Sequence, residues 1–369
     1  MKRICCIFNY PPHYRKNIYQ LMDKELECDF YFGKNVPGTL KEMDCSTLNG
    51  FKYRFKNYIL KNKIIWQGKT IRLVFKKEYK DFILSVDTAC FSEWILIYLA
   101  KLLKKNVFLW THGWYGNENL LAKIRKKTFY HPCKGLLLYS EYARQQLIKQ
   151  GLPPQKLSVI ANSLDYDFQK QVQNKLKKEN LYEKHFHNQF PVIIFIGRLE
   201  PKKKLSEILQ LLYSFKTENK TVNCIFVGDG NDKRNLVRIA GQLKLNSQVW
   251  FYGACYDESK IASLIYNADI CLSPGNVGLT SIHSLSYGTP VITHNNFCNQ
   301  MPEFEAITDG VNGAFFKEND FNDMKNVIKR WLEVYPQKTQ ELIDKCYNSI
   351  DNKYNPYYQL DVIKKTLKI

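Results

Sequence analysis

The chain has 369 residues, 45% hydrophobic and 24% charged, with a formal net charge of +19; it is globular in composition and too long for one core, so two domains are expected. No apolar run approaches the roughly 20 residues that span a bilayer, and the start has no signal-peptide pattern. The eleven cysteines form no Cys-x-x-Cys pair, which argues against a zinc or disulfide framework and for buried thiols in a reducing cytoplasm.

Strand-like apolar segments in the first half are Arg3 to Phe8, Cys28 to Phe32, Asp81 to Val86, Val107 to Trp110, Gly135 to Tyr139 and Leu157 to Ile160. Helical patterns separate them, for example Ser92 to Leu103 and Glu141 to Lys149, the latter closed by Gly151 and Pro153-Pro154. This alternation predicts an α/β domain with a parallel sheet. Residues 1–160 hold 28 Lys and Arg against 12 Asp and Glu, a net +16, whereas residues 161–369 hold only +3. The excess is densest from Lys52 to Lys80, where Tyr53, Phe55, Tyr58 and Trp66 interleave with it, and again at Lys104-Lys105 and Lys123 to Lys127. Nucleic acid, an anionic membrane surface and simple solubility each account for such a balance. No nucleic-acid motif accompanies it, so no nucleic-acid partner is expected.

After the first strand comes Asn9-Tyr10-Pro11-Pro12-His13-Tyr14-Arg15, where His13 and Arg15 either meet an anion or cap the next helix. His112 ends the strand Val107 to Thr111 and precedes Gly113. Residues 166–190 are polar without a clean apolar period and read as the inter-domain linker plus a helical lead-in.

A second α/β series opens with Pro191 to Ile196, an apolar strand that delivers Gly197-Arg198-Leu199 and Lys202-Lys203-Lys204 at its carboxyl end. Cys224 to Val227 ends in Gly228-Asp229-Gly230, and Val249 to Tyr252 ends in Gly253. Ala268 to Leu272 leads into Ser273-Pro274-Gly275-Asn276-Val277-Gly278, with a helix starting at Thr280-Ser281, and Val291-Ile292 follows Gly288-Thr289-Pro290. Open α/β sheets bind ligands at the carboxyl ends of their strands. Glycines admit a close backbone approach there, and a helix N-terminus offers unpaired N–H groups to a phosphate. Tyr354 to Ile369 predicts a terminal helix.

In order and spacing, residues 191–316 resemble the donor domain of retaining family-4 glycosyltransferases of the GT-B architecture. Gly197-Arg198-Leu199 with Lys203, Val227-Gly228-Asp229-Gly230, Phe251-Tyr252-Gly253, Tyr266-Asn267-Ala268-Asp269, Gly278-Leu279, Gly288-Thr289-Pro290-Val291-Ile292 and Glu305 to Gly310 carry the likeness. Thr111-His112-Gly113, Tyr139 to Ala143 and Val159 to Asp165 extend it more loosely into the first half. Two departures stand out. The family's two glutamates, eight residues apart, are Gly275 and His283 here, and its glycine pair before Glu305 is the polar run Asn295 to Gln300.

The resemblance implies two Rossmann-like α/β domains facing across a cleft: an acceptor-side domain over 1–165, a linker over 166–190, a nucleotide-sugar domain over 191–350, and a helix over 351–369 returning to the first domain. It implies a retaining transfer of a hexose from a nucleotide-diphosphate sugar to a saccharide acceptor, polyprenyl-linked or free, in surface polysaccharide synthesis. A UDP-sugar is favoured over a GDP-sugar. Arg198, Lys203 and His112 are the candidate catalytic residues. Arg198 and Lys203 supply the charge for a departing diphosphate, so no metal and no cofactor are expected. Gly197, Phe251, Gly253, Asn276, Gly278, Leu279, Thr280, His283 and Glu305 are the candidate donor contacts, and His13 and Arg15 the acceptor-side ones. Neutral His283 has one donor and one acceptor, enough to take over a carboxylate's contact with a ribose hydroxyl. The basic first half is expected to sit on an anionic membrane, which places the protein in the cytoplasm on the membrane's inner face. A non-catalytic sugar- or nucleotide-binding module and a nucleotide-sugar epimerase are the alternatives.

Overall fold

The computed structural model describes residues 3–34, 41–59, 64–85 and 88–369; Val86, Lys61 and Lys63 of the segments above lie outside them. The chain divides into two compact units, Met1–Asp165 with Asn355–Ile369, and Tyr166–Tyr354.

The first unit contains β1 (Arg3–Phe8), α1 (Lys16–Glu25), β2 (Cys28–Lys34), β3 (Phe51–Ile59), β4 (Ile65–Gln67), β5 (Tyr79–Ser85), α2 (Phe91–Leu102), β6 (Asn106–Thr111), α3 (Leu120–Tyr130), β7 (Gly135–Leu138), α4 (Glu141–Lys149) and β8 (Leu157–Val159). Its eight-stranded sheet runs β4-β3-β2-β1-β5-β6-β7-β8 and is parallel except for the β3–β4 pair. Both faces of the sheet are covered. Leu84, Leu96, Leu109 and Leu138 belong to the core on one side, and Cys6, Phe8, Phe30, Trp110 and Leu137 to the core on the other. Such double burial is why these strands read as unbroken apolar runs.

The strand β3 falls within the stretch read only as basic. Phe51, Tyr53 and Phe55 alternate with Lys52, Arg54 and Lys56, and Phe55 is buried with its ring stacked 5.6 Å from Tyr31. The aromatics suit a half-buried strand next to the edge of the sheet and the lysines keep it solvated, so charge masked a strand.

The second unit contains α5 (Tyr166–Gln173), α6 (Leu181–Phe186), β9 (Val192–Ile196), α7 (Ser206–Thr217), β10 (Asn223–Val227), α8 (Lys233–Gln242), β11 (Val249–Gly253), α9 (Glu258–Asn267), β12 (Ile270–Ser273), α10 (Leu279–Ser286), β13 (Val291–His294), β14 (Gly313–Phe316), α11 (Phe321–Val334) and α12 (Gln340–Asn352). Its six strands are all parallel in the order β11-β10-β9-β12-β13-β14. The chain winds outward from β9 to β11, then returns to β12 on the other side of β9. That reversal opens a crevice at the carboxyl ends of β9 and β12, where doubly wound sheets take their ligands.

The stretch 166–190 holds more helix than a lead-in. It contains α5 and α6, which belong to the second unit. Val172, Tyr182 and Phe186 are buried, and the Tyr182 hydroxyl donates to the Leu264 carbonyl at 2.6 Å. Too few apolar residues mark the buried side for a period to show. The last helix, α13 (Pro356–Leu367), lies in the first unit, with Leu360 and Ile363 in the core beside α1. Asn355 caps it by accepting from the Tyr358 N–H, and Gln359 donates to the Ala161 carbonyl at 3.1 Å. The division therefore falls at 354/355, not at 350/351.

Candidate donor site at the ends of β9 and β12

The loop after β12 lies tight against the loop after β9. A Cβ on Gly275 would sit 2.3 Å from the Lys202 carbonyl oxygen, and the Gly275 N–H donates to the Lys203 carbonyl at 3.0 Å. No residue larger than glycine fits. Gly278 takes φ +55° and ψ −148° as it turns the chain into α10, a combination that all but excludes other residues. Leu279 and Thr280 open the helix, whose first turn leaves N–H groups without intrahelical acceptors. The Thr280 hydroxyl is committed to the Ile196 carbonyl at 2.9 Å, which ties the start of α10 to the end of β9 beside Gly197.

Lys203 and Asn276 join the two loops. The Lys203 ammonium donates to the Asn276 carbonyl at 2.6 Å and to its Oδ1 at 2.8 Å. Burial, reinforced by the neighbouring Lys202 charge, lowers its pKa to about 8. Arg198 is different. Its side chain is 62% exposed and pairs at 3.0 Å with Glu200, which also pairs with Lys202 at 2.9 Å. Arg198 lines a surface recess with Gly230 and Asn231. Both cations thus leave the same strand end, each on a partner that a stronger anion would displace or share.

Gln300 holds the loop from behind. This buried amide accepts from the Val277 N–H at 2.8 Å and donates to the Thr293 hydroxyl at 2.9 Å and the His294 carbonyl at 3.0 Å. Thr293 in turn donates to the Ser273 carbonyl at 2.8 Å. The polar run at 295–300 therefore ends in a clamp on the loop, which sequence reasoning missed because its partners lie 6, 7 and 23 positions away.

The other candidate donor residues divide. Gly253 faces open space, and its carbonyl accepts from the Gly228 N–H at 2.8 Å. Phe251 lies on the sheet face instead, its ring stacked 5.2 Å from Phe226 against the core, so its side chain packs inward because strand positions alternate. Glu305 lies in the short helical turn Pro302–Ala306 with Lys353 at 3.8 Å. His283 meets Glu258 on α9, Nε2 to Oε1 at 2.9 Å, rather than the 275–278 loop.

In the first unit, His112 and Arg15 meet around Tyr139. The reversal of strand order between β1 and β5 opens the corresponding crevice there. Arg15 is buried and donates to the Tyr139 hydroxyl, with its guanidinium 5.0 Å from the Trp110 ring centroid. The His112 ring lies 4.6 Å from the Tyr139 ring, and its Nδ1 is buried without a hydrogen-bond partner among the described residues. Burial, then the charges of Arg15 and Lys126, hold this imidazole neutral by lowering its pKa to about 4. His13 is exposed, and its backbone N–H donates to the Lys41 carbonyl at 2.8 Å.

One Asp-x-Asp spacing occurs, Asp165-Tyr166-Asp167, and Asp165 accepts from the Asn17 amide at 2.8 Å. Among the described residues no group of three or more His, Cys, Asp or Glu is placed to hold a metal ion. No helix among them is long and apolar enough to cross a membrane.

Residues 177–348 match the family described as Glycosyl transferases group 1. Among curated proteins, the chain is 24% identical over 305 residues to the alpha-monoglucosyldiacylglycerol synthase of Streptococcus pneumoniae, covering 77% of this chain and 67% of that one. Among solved structures, the apo lipopolysaccharide outer core galactosyltransferase WaaB superposes with a TM-score of 0.74 at 15% identity, covering 99% of both chains. Anabaena HepE in complex with UDP gives 0.73 at 16% identity, covering all of both. The two parallel-sheet units are those of the GT-B glycosyltransferase fold.

Proposed function

We propose that this chain, whose residues 177–348 match the group 1 glycosyl transferases, is a retaining, metal-independent enzyme that transfers a hexose from a nucleotide-diphosphate sugar to a saccharide acceptor. The observation that carries this reading is the Lys203–Asn276 bridge beside the N-terminus of α10. A partly desolvated ammonium and a helix N-terminus at one strand-end crevice suit a diphosphate. In transfer, the sugar–phosphate bond breaks and the β-phosphate of the donor takes up negative charge. Lys203, Arg198 and the first N–H groups of α10 stabilise that charge, a role filled in other transferases by a bound cation. Neutral His112 offers a hydrogen bond to a sugar hydroxyl.

UDP-sugars are the first donors to test, since Anabaena HepE was solved with UDP. A lipid-linked acceptor in surface polysaccharide synthesis is supported by α3, where Leu120, Leu121 and Ile124 are exposed beside Arg125 and Lys127. Apolar and basic side chains on one exposed helix suit the headgroup region of an anionic bilayer. The same apolar side chains of α3, with the basic stretch from Lys52 to Lys80, support a peripheral location on the inner face of the cell membrane.

A panel of nucleotide sugars, assayed for hydrolysis and transfer with and without EDTA, tests the proposal. Retained anomeric configuration and EDTA-insensitive turnover are expected. Binding without turnover across the panel would favour a non-catalytic module, a reading motivated by Gly275 and His283 standing where the resemblance has glutamates.

A further inference from the structure

The carboxylate that position 283 lacks is present one helix away. Glu258 is the first residue of α9, and its Oε1 accepts three hydrogen bonds: from Gln169 Nε2 at 3.1 Å, from the Tyr287 hydroxyl at 2.7 Å, and across 2.9 Å to His283 Nε2. Burial opposes ionisation of this group, but the hydrogen bonds it accepts from His283, Tyr287 and Gln169 favour the charged form and hold its pKa below the usual carboxylate range. An ionised carboxylate only accepts, so it requires a proton on His283 Nε2. Neutral imidazole then carries its lone pair on Nδ1. That atom has no hydrogen-bond partner among the described residues and is not sealed from solvent. His283 is one turn into α10, the helix opened by Gly278, and Glu258 follows the open end of β11 at Gly253. Both therefore stand on the carboxyl edge of the sheet that the donor would occupy.

We propose that Glu258 is a positioning residue for donor recognition: it fixes His283 in the tautomer that presents Nδ1 as an acceptor to a ribose hydroxyl of the nucleoside diphosphate. This rests on the nucleotide-sugar reading of the site. The pair does by relay what a carboxylate at position 283 would do directly, since an imidazole lone pair backed by an anion accepts a hydroxyl proton as a carboxylate oxygen does.

The test uses the full chain, UDP and 2′,3′-dideoxy-UDP, with GDP and its dideoxy form as the second pair. Calorimetry is expected to show the ribose hydroxyls contributing about three- to ten-fold in affinity, the range of one neutral hydrogen bond. Glu258→Ala and His283→Ala should each lose that factor for UDP and nothing for dideoxy-UDP, and the double variant should lose no more than either. Glu258→Gln, which still accepts from Nε2–H, should retain most of the affinity. Equal losses for both ligands, or additive losses in the double variant, would reduce Glu258 to a structural role. Nitrogen NMR of the unmodified protein at pH 8 needs no variant to fold: a proton on Nε2 alone is expected, with Nδ1 shifting on UDP but not on dideoxy-UDP. A proton on Nδ1 overturns the proposal. If the unmodified protein binds neither UDP nor GDP, the nucleotide-sugar reading itself falls and takes this one with it. If it binds UDP and dideoxy-UDP equally, only the role of the pair is lost.

Discussion

Lys203 reaches across from the β9 loop and closes on Asn276 of the β12 loop twice, at the carbonyl and at Oδ1, 2.6 and 2.8 Å away. One ammonium thus holds two loops together and keeps its charge at the mouth of the crevice between them. Lys203→Ala should lower turnover by about 100- to 1000-fold, the usual loss for one stabiliser of developing charge. Arg198→Ala should lower it comparably with the thermal midpoint unchanged, because an exposed ion pair such as Arg198–Glu200 adds about 0–1 kcal/mol. Activity within a few-fold of the parent in both variants would remove them from the mechanism.

Burial brings Lys203 to about 8 from an ordinary value of 10.5. Between those values the unfolded chain holds the proton and the folded chain does not, so this group's contribution to stability grows as pH rises through that window. Diphosphate binding moves the opposite way, since it needs the charged form. UDP affinity should therefore weaken as pH rises above about 8, and Lys203→Arg should flatten the profile. Calorimetry between pH 7 and 9.5 reads this directly; an unsloped parent profile would show that the ammonium does not meet the phosphates.

His112 titrates in the same sense at lower pH. Its folded value of about 4 lies below the ordinary 6.5, so the unfolded chain binds more protons between them and stability falls as pH drops through that range. Comparing midpoints at pH 7 and 4.5, His112→Asn should lose less stability than the parent. The difference between the two proteins isolates this residue from the carboxylates that also titrate there.

Gln300→Ala leaves the Val277 N–H and the Thr293 hydroxyl without the partner they share. Denaturant unfolding should register about 1–3 kcal/mol, the cost of buried polar groups left unsatisfied. The KM for the donor should rise through a loosened 275–278 loop. A stability loss with KM unchanged would make Gln300 a core residue and nothing more.

Leu121→Ser with Ile124→Ser should weaken binding to anionic vesicles while sparing transfer to a short water-soluble acceptor. Replacing Lys52, Lys56 and Lys80 by serine should weaken it further, by about 1 kcal/mol per lysine near the surface. Vesicle flotation measures both. Undiminished flotation in the combined variant would mean that the basic half serves solubility.

The strands of the second unit and the glycine-bearing turns after them were legible in the sequence. Fully buried parallel strands must be apolar along their whole length, and Gly275 and Gly278 are required locally by a backbone contact and a backbone angle. Lys203 was visible as a candidate for the same reason: it follows such a strand at close range. What the tertiary structure decided is which distant side chain completes each local feature. Phe251 faces the core because the sheet fixes which side it points to. Arg15 is lodged among Trp110 and Tyr139, His283 is bound to Glu258 across 25 positions, and Val277 to Gln300 across 23. Hydrogen bonds and aromatic contacts of this kind leave no period in the chain, since they depend on which helices the sheet brings side by side. Helix was expected within 166–190, but its bounds at 166–173 and 181–186 were hidden for that reason too, their places set by polar contacts to α9, such as Gln169 to Glu258 and Tyr182 to the Leu264 carbonyl, rather than by an apolar stripe.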